Sequence, residues 1–270
     1  MKYEILLDGI KKYGSSSEDT CKQIFGISGS KINQKVIIAP WWEPTIFDEF
    51  RNRATLISEV CTIKVWNIAY NLINITYIKT GIGSPVLTDV VLALGLTKCK
   101  EIVFIGSVGS LDENISIGDV VIPEYSICGD GTSRYLKGSP LKENDPFGEK
   151  AFPNQPFFEE LIKATKNICA KNNVKHHIGR AFSIDTIFAQ FVYIDEIKSM
   201  GCNVIEMETA AAFRAAEIAS LKLVAILSVS DNIIVNKSLI SGRKDEDIKY
   251  RKTTRNNVFP KIILSLLNAN

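Results

Sequence analysis

Apolar residues recur along this chain in two alternating rhythms. Runs rich in Val and Ile near 36–40, 73–80, 101–106, 119–127, 177–183, 203–207 and 222–229 have the length and composition of strands. Between and after them, segments near 84–97, 157–173, 191–200, 209–220 and 245–268 place apolar residues at helical intervals. Ser84-Pro85 supplies a cap and a proline at a first helical position, and Gly95 and Gly118-Asp119 punctuate the ends of elements. The alternation predicts an α/β sheet covered by helices on both faces. Residues 1–35 are polar and Ser-rich and read as an N-terminal extension laid on a single domain spanning 1–270. The longest irregular stretch, 129–156, with Pro140, Pro146, Pro153 and Pro156, is expected to wall a pocket.

Composition narrows the partners. With 270 residues, 46% of them hydrophobic, the chain can bury a full core. Lysine and arginine total 32 against 30 acidic residues, so a net charge of +2 gives no electrostatic reason to expect nucleic acid or an anionic membrane. A small neutral ligand fits better. The six cysteines are scattered with no C-x-x-C pair, which points to reduced, mostly buried thiols and to a cytoplasmic protein without a metal site. No run of about eighteen apolar residues is present to suggest a spanning helix.

Two short segments carry the chemistry. Val204-Ile205-Glu206-Met207-Glu208-Thr209 and Ser228-Val229-Ser230-Asp231-Asn232 each end a β-rich run in polar residues, and open α/β sheets bind ligands at the carboxyl ends of their strands. Three carboxylates are therefore expected near one pocket. Each also has a bland reading, Asp231 as a turn cap and the Glu pair as acids favoured at a helix start.

Taken in order, Gly81-Ile82-Gly83-Ser84-Pro85, Ile105-Gly106-Ser107-Val108-Gly109-Ser110, Ile117-Gly118-Asp119-Val120, Gly131-Thr132-Ser133, Glu206-Met207-Glu208 and Ser230-Asp231 make the chain resemble the nucleoside phosphorylase family. The resemblance covers about 36–268 and implies a three-layer α/β/α fold with a central mixed, partly barrel-like sheet. It also implies cleavage of the bond between a base and ribose C1′. Asp231 then resembles the general acid that protonates a purine-type base, which requires a pocket that raises its pKa. Glu208 resembles the acceptor of the ribose hydroxyls, with Met207 beneath the sugar and Glu206 on the base side. Gly83 would offer a backbone N–H at a helix start, and Ser107 resembles the residue contacting phosphate or ribose. Phe188 lies one place beyond the family's base-stacking aromatic, and Trp41 and Trp42 either wall the ribose or belong to the core. His176 and His177 read as structural.

The pattern breaks at the phosphate. The family's loop after the first strand is replaced by Pro40-Trp41-Trp42-Glu43, and its other phosphate-binding arginines fall at Cys61 and, before the Gly106-Ser107 dipeptide, at Phe104. Arg51 and Arg53 lie close in sequence to the altered loop. Arg243 resembles the late arginine that pairs with the aspartic acid. The nucleosidases of the family instead place a glutamate after the first strand to activate water, and Glu43 falls near that position. Hydrolysis is the favoured expectation, with phosphorolysis, using phosphate as co-substrate and a repositioned arginine, as the alternative. A non-catalytic nucleoside-binding protein is the third possibility. No cofactor is expected, and the resemblance implies a homo-oligomer, whether dimer, trimer or hexamer.

Overall fold

The computed structural model describes residues 1–138, 143 and 145–268. Its strands are β1 (Lys35–Ala39), β2 (Ala54–Val60), β3 (Ile63–Tyr70), β4 (Ile73–Lys79), β5 (Glu101–Ser110), β6 (Val120–Gly129), β7 (Lys150–Ala151), β8 (His176–Ile184), β9 (Val204–Glu206) and β10 (Lys222–Asn232). Its α-helices are α1 (Tyr3–Lys12), α2 (Ser17–Phe25), α3 (Ser84–Leu94), α4 (Ser133–Lys137), α5 (Gln155–Asn172), α6 (Ile187–Ser199), α7 (Thr209–Ile218), α8 (Asp245–Thr253) and α9 (Phe259–Leu267). The sheet runs β10-β6-β8-β9-β5-β1-β4-β3-β2, and β10 also pairs with β5. That extra pairing closes five strands into a barrel, with β1, β4, β3 and β2 extending from β5 as an open wing and the short β7 paired to β6.

Both faces of the sheet are covered, which explains the unbroken apolar strands. Val36, Ile38, Phe104 and Leu227 pack with Leu87 of α3, Phe213 of α7 and Phe25 of α2. The intervening residues Ile37, Val103, Ile105 and Ile226 face the other way, onto Phe157 and Leu161 of α5 and Ile263 of α9. Strand alternation thus feeds two cores, and each fully buried large apolar side chain contributes about 1.5–3 kcal/mol. Among the described residues no helix is long and apolar enough to cross a membrane. Five of the six cysteines are buried, Cys61 is exposed, and all are free.

Four regions depart from expectation. Residues 1–35 hold α1 and α2, the latter opened by a reciprocal cap in which Asp19 N donates to Ser16 Oγ at 3.1 Å and Ser16 N to Asp19 Oδ2 at 3.0 Å. The hairpin β2–β3 fills a stretch in which no strand was predicted. The expected helix over 245–268 is two helices joined by a π-helical turn, Thr254–Val258. Pro260, at the start of α9, has no N–H to give the carbonyl of Asn256, which accepts from Asp48 N at 3.1 Å instead. The stretch 129–156 contains α4 and β7, while 139–142 and 144, including Pro140, lie outside the described residues.

Candidate active site

At the carboxyl ends of β5, β9 and β10 the barrel opens into a cavity of about 330 Å³. Its wall includes Ser107, Glu206, Met207, Glu208 and Asp231, five of the residues singled out in the sequence. Arg251 of α8 and Trp41 complete the polar and aromatic lining.

Asp231 is placed by an irregularity. The β10–β5 ladder shifts register between Val229 and Asp231, so Ser230 is the extra residue of a bulge that re-aims its neighbour. Ser230 Oγ lies 3.1 Å from the Val108 carbonyl and 2.5 Å from Asp231 Oδ1. With 3% of its surface exposed, the Asp231 carboxyl is raised above the usual carboxylate range by burial, against the opposing influence of the Ser230 hydrogen bond and of Arg243 and Arg251. It is suited to hold a proton and deliver it.

Glu206 and Glu208 are neighbours with different work. Glu206 accepts from Ser183 Oγ at 2.5 Å, Thr209 Oγ1 at 2.7 Å, Glu208 N at 2.6 Å and Thr209 N at 2.7 Å. Those four bonds cap α7 and tie β8 to β9, so Glu206 lines the cavity while its carboxylate is held by the protein's own donors. Glu208 accepts from the protein at Oε1 from Gly83 N, 2.9 Å away. Gly83 has φ +107°, a backbone that side chains disfavour, and this turns its N–H toward the carboxylate rather than directly into the cavity. Burial and then the charge of Glu206 push the Glu208 pKa up to about 7.

The anion side differs from expectation. Arg251 Nη2 donates to Ser107 Oγ at 2.7 Å, and its buried Nε has no hydrogen-bond partner among the described residues. Burial and then the charges of Arg255 and Arg243 lower its pKa to about 10, so it remains a cation at neutral pH. Trp42 lies beneath the two arginines, with the Arg255 guanidinium 5.2 Å and that of Arg251 6.0 Å from its ring. The family pattern does not point to Arg251, since it sets its arginines at the Pro40-Trp41-Trp42 loop, Cys61, Phe104 and Arg243, whereas this one arrives from a helix 144 residues after Ser107.

Six predicted residues do not line the cavity. Gly83 acts through Glu208, as above. Trp42 is core, edge-on to Phe47 and Phe259, and Trp41 takes the pocket position with 62% of its surface exposed. Phe104 is 1% exposed and points into the core with Leu227, since alternation along β5 turns it away from Ser107. Phe188 is 90% exposed on α6, and its neighbours Ile187 and Gln190 line the cavity instead. Arg243 donates to the carbonyls of Leu239 at 2.9 Å and Ser230 at 3.5 Å, behind Asp231. Glu43 is held by Lys79 at 3.3 Å and Lys64 at 3.4 Å; burial alone would raise its pKa, but the two lysines keep it below the ordinary value. A carboxylate so neutralised and outside the cavity is a poor base for a water at the ribose. None of the described residues of 129–156 lines the cavity either. His177 is structural, 2.8 Å from Asp119.

The chain is similar to known proteins in sequence and in fold. The phosphorylase superfamily model matches residues 48–267. The guanosine phosphorylase of Halorubrum lacusprofundi is 25% identical over 192 residues, covering 71% of this chain and 75% of that protein. In fold, a uridine phosphorylase from Vibrio fischeri matches with a TM-score of 0.71 at 21% identity, covering 88% of this chain and 93% of that one. An AMP nucleosidase from Bacteroides thetaiotaomicron matches with a TM-score of 0.69 at 15% identity, covering 100% and 97%. The chain belongs to the phosphorylase superfamily and is an N-ribosyl cleaving enzyme.

Proposed function

We propose that this enzyme cleaves purine-type nucleosides by phosphorolysis, giving a free base and ribose 1-phosphate. The observation that carries this reading is Arg251 on Ser107, a cation whose buried Nε has no partner among the described residues, in the same cavity as Asp231 and Glu208. Asp231 protonates the departing base, so the base leaves neutral. Ionised Glu208 grips the ribose hydroxyls while positive charge develops at C1′, and phosphate on Arg251 and Ser107 attacks that carbon. Met207 packs under the sugar. The curated guanosine phosphorylase relative supports the same direction.

Hydrolysis is the second reading, supported by the Cys61, Phe104 and Pro40-Trp41-Trp42 substitutions at the arginine positions of the family pattern. The decisive experiment incubates the protein with inosine, guanosine, adenosine, methylthioadenosine and uridine, with and without phosphate, and identifies the sugar. Ribose 1-phosphate formed only with phosphate is expected; free ribose formed without it overturns phosphorolysis. We further propose a homo-oligomer in which a second copy covers the exposed rim of Trp41 and Ile82. Light scattering that returns a monomer rejects it.

A further inference from the structure

The Ile117-Gly118-Asp119-Val120 motif has no residue in the cavity, yet it touches both of the cavity's reactive walls. Asp119 closes its turn by accepting from Ser116 N at 3.0 Å and pairs with His177 at 2.8 Å. Gly118 N donates to the Val229 carbonyl at 2.9 Å, and Val229 N to the Asp119 carbonyl at 3.1 Å, two residues before Asp231. On its other side Gly118 meets α8. A Cβ at Gly118 would stand 2.5 Å from the Tyr250 ring and 3.1 Å from the Cα of Arg251 itself, and its φ of +91° independently disfavours a side chain.

Helix α8 is lightly packed, with no fully buried residue. Besides this turn it is tied to the fold by the Asp247 carboxylate on Lys237 at 2.9 Å, by Arg251 on Ser107 at 2.7 Å and by its run into the π-helical turn. We propose that Gly118 and Tyr250 are positioning residues, a seat that sets where Arg251 meets Ser107 and hence how tightly the site holds phosphate. Arg251 is the next residue after the seated tyrosine, so a shift of the ring carries the guanidinium with it. Misplacement by about 1 Å is enough to cost a factor of about 100 in a site of fixed geometry. The inference rests on the reading of Arg251 as the anion-holding group.

The test uses the full chain with inorganic phosphate as the probe, its binding read by calorimetry. Gly118→Ala is expected to weaken phosphate binding about tenfold or more, the scale of one charge-assisted hydrogen bond, and to add little in an Arg251→Ala background. Hydrogen exchange over 245–253 is expected to quicken in the same variant. Tyr250→Ala, which leaves the turn intact, gives the same pair of effects and serves if Gly118→Ala does not fold. Unchanged exchange over α8 in the folded variant overturns the seat, whatever phosphate does. A full loss of phosphate binding from Gly118→Ala on top of Arg251→Ala also overturns it. If Arg251→Ala alone leaves phosphate affinity unchanged, the role of Arg251 fails while the exchange result still judges the seat.

Discussion

The two walls of the cavity are built on different principles. The strand wall, carrying Ser107, Glu206, Glu208 and Asp231, is set by ladder register, a bulge and a carboxylate with four donors, all inside a closed barrel. The helix wall hangs Arg251 from α8, a polar helix with no fully buried residue that packs against the Gly118 turn. On the proposed reading, proton transfer and sugar binding sit on the strand wall, and the anion on the helix wall. Nucleophile choice is the property this architecture leaves freest to change.

The largest effect should come from the strand wall. Asp231→Asn removes the proton donor but keeps the shape, and the rate of purine nucleoside cleavage should fall by about 10²–10⁴. A loss below tenfold in steady-state turnover would remove Asp231 from the acid role. Next is Arg251→Ala, which should raise the phosphate KM about tenfold to a hundredfold, whereas Arg243→Ala should change it by less than about threefold. Equal effects from the two would erase the contrast between the walls.

Glu208 gives a pH signature. Its carboxyl is held up to about 7, so nucleoside affinity should rise as pH increases through that region, and Glu208→Gln should flatten the dependence. The same shift bears on stability: a carboxyl whose folded pKa lies above its unfolded value favours folding below the unfolded pKa of about 4.5, and that contribution is lost as pH rises to about 7. Wild-type unfolding midpoints should decline over that window more than those of Glu208→Gln. The smallest effect is expected at Glu43, where Glu43→Gln should alter turnover by less than about threefold. A hundredfold loss would restore it as a base and favour hydrolysis.

The strand wall was legible in the sequence because its signals are local: apolar runs ending in Glu206-Met207-Glu208 and Ser230-Asp231 fix both the element and the residue. The helix wall was not, since no spacing links Ser107 to Arg251 across the chain. Pro260 did announce the break after α8, and its missing N–H could have divided the long predicted helix. Ser16 with Asp19, followed by Cys21 and Phe25 four apart, likewise marked α2. The hairpin gave weaker notice. β2 is an outer strand with Leu56 and Ile57 exposed, so neither of its faces shows the alternation that burial imposes. Trp41 and Trp42 show the limit of residue type, because adjacent, identical side chains were sorted to cavity and core by one turn of backbone.

Closure of the barrel has a consequence for how this molecule tolerates insertion and deletion. A sheet joined back to itself has a fixed circumference, so a one-residue slip in β8, β9 or β10 finds no free margin to absorb it and would turn the inward set outward. Length change belongs instead to β2 at the far rim and to the loops, where the wing can shorten or lengthen without disturbing the register that aims Asp231.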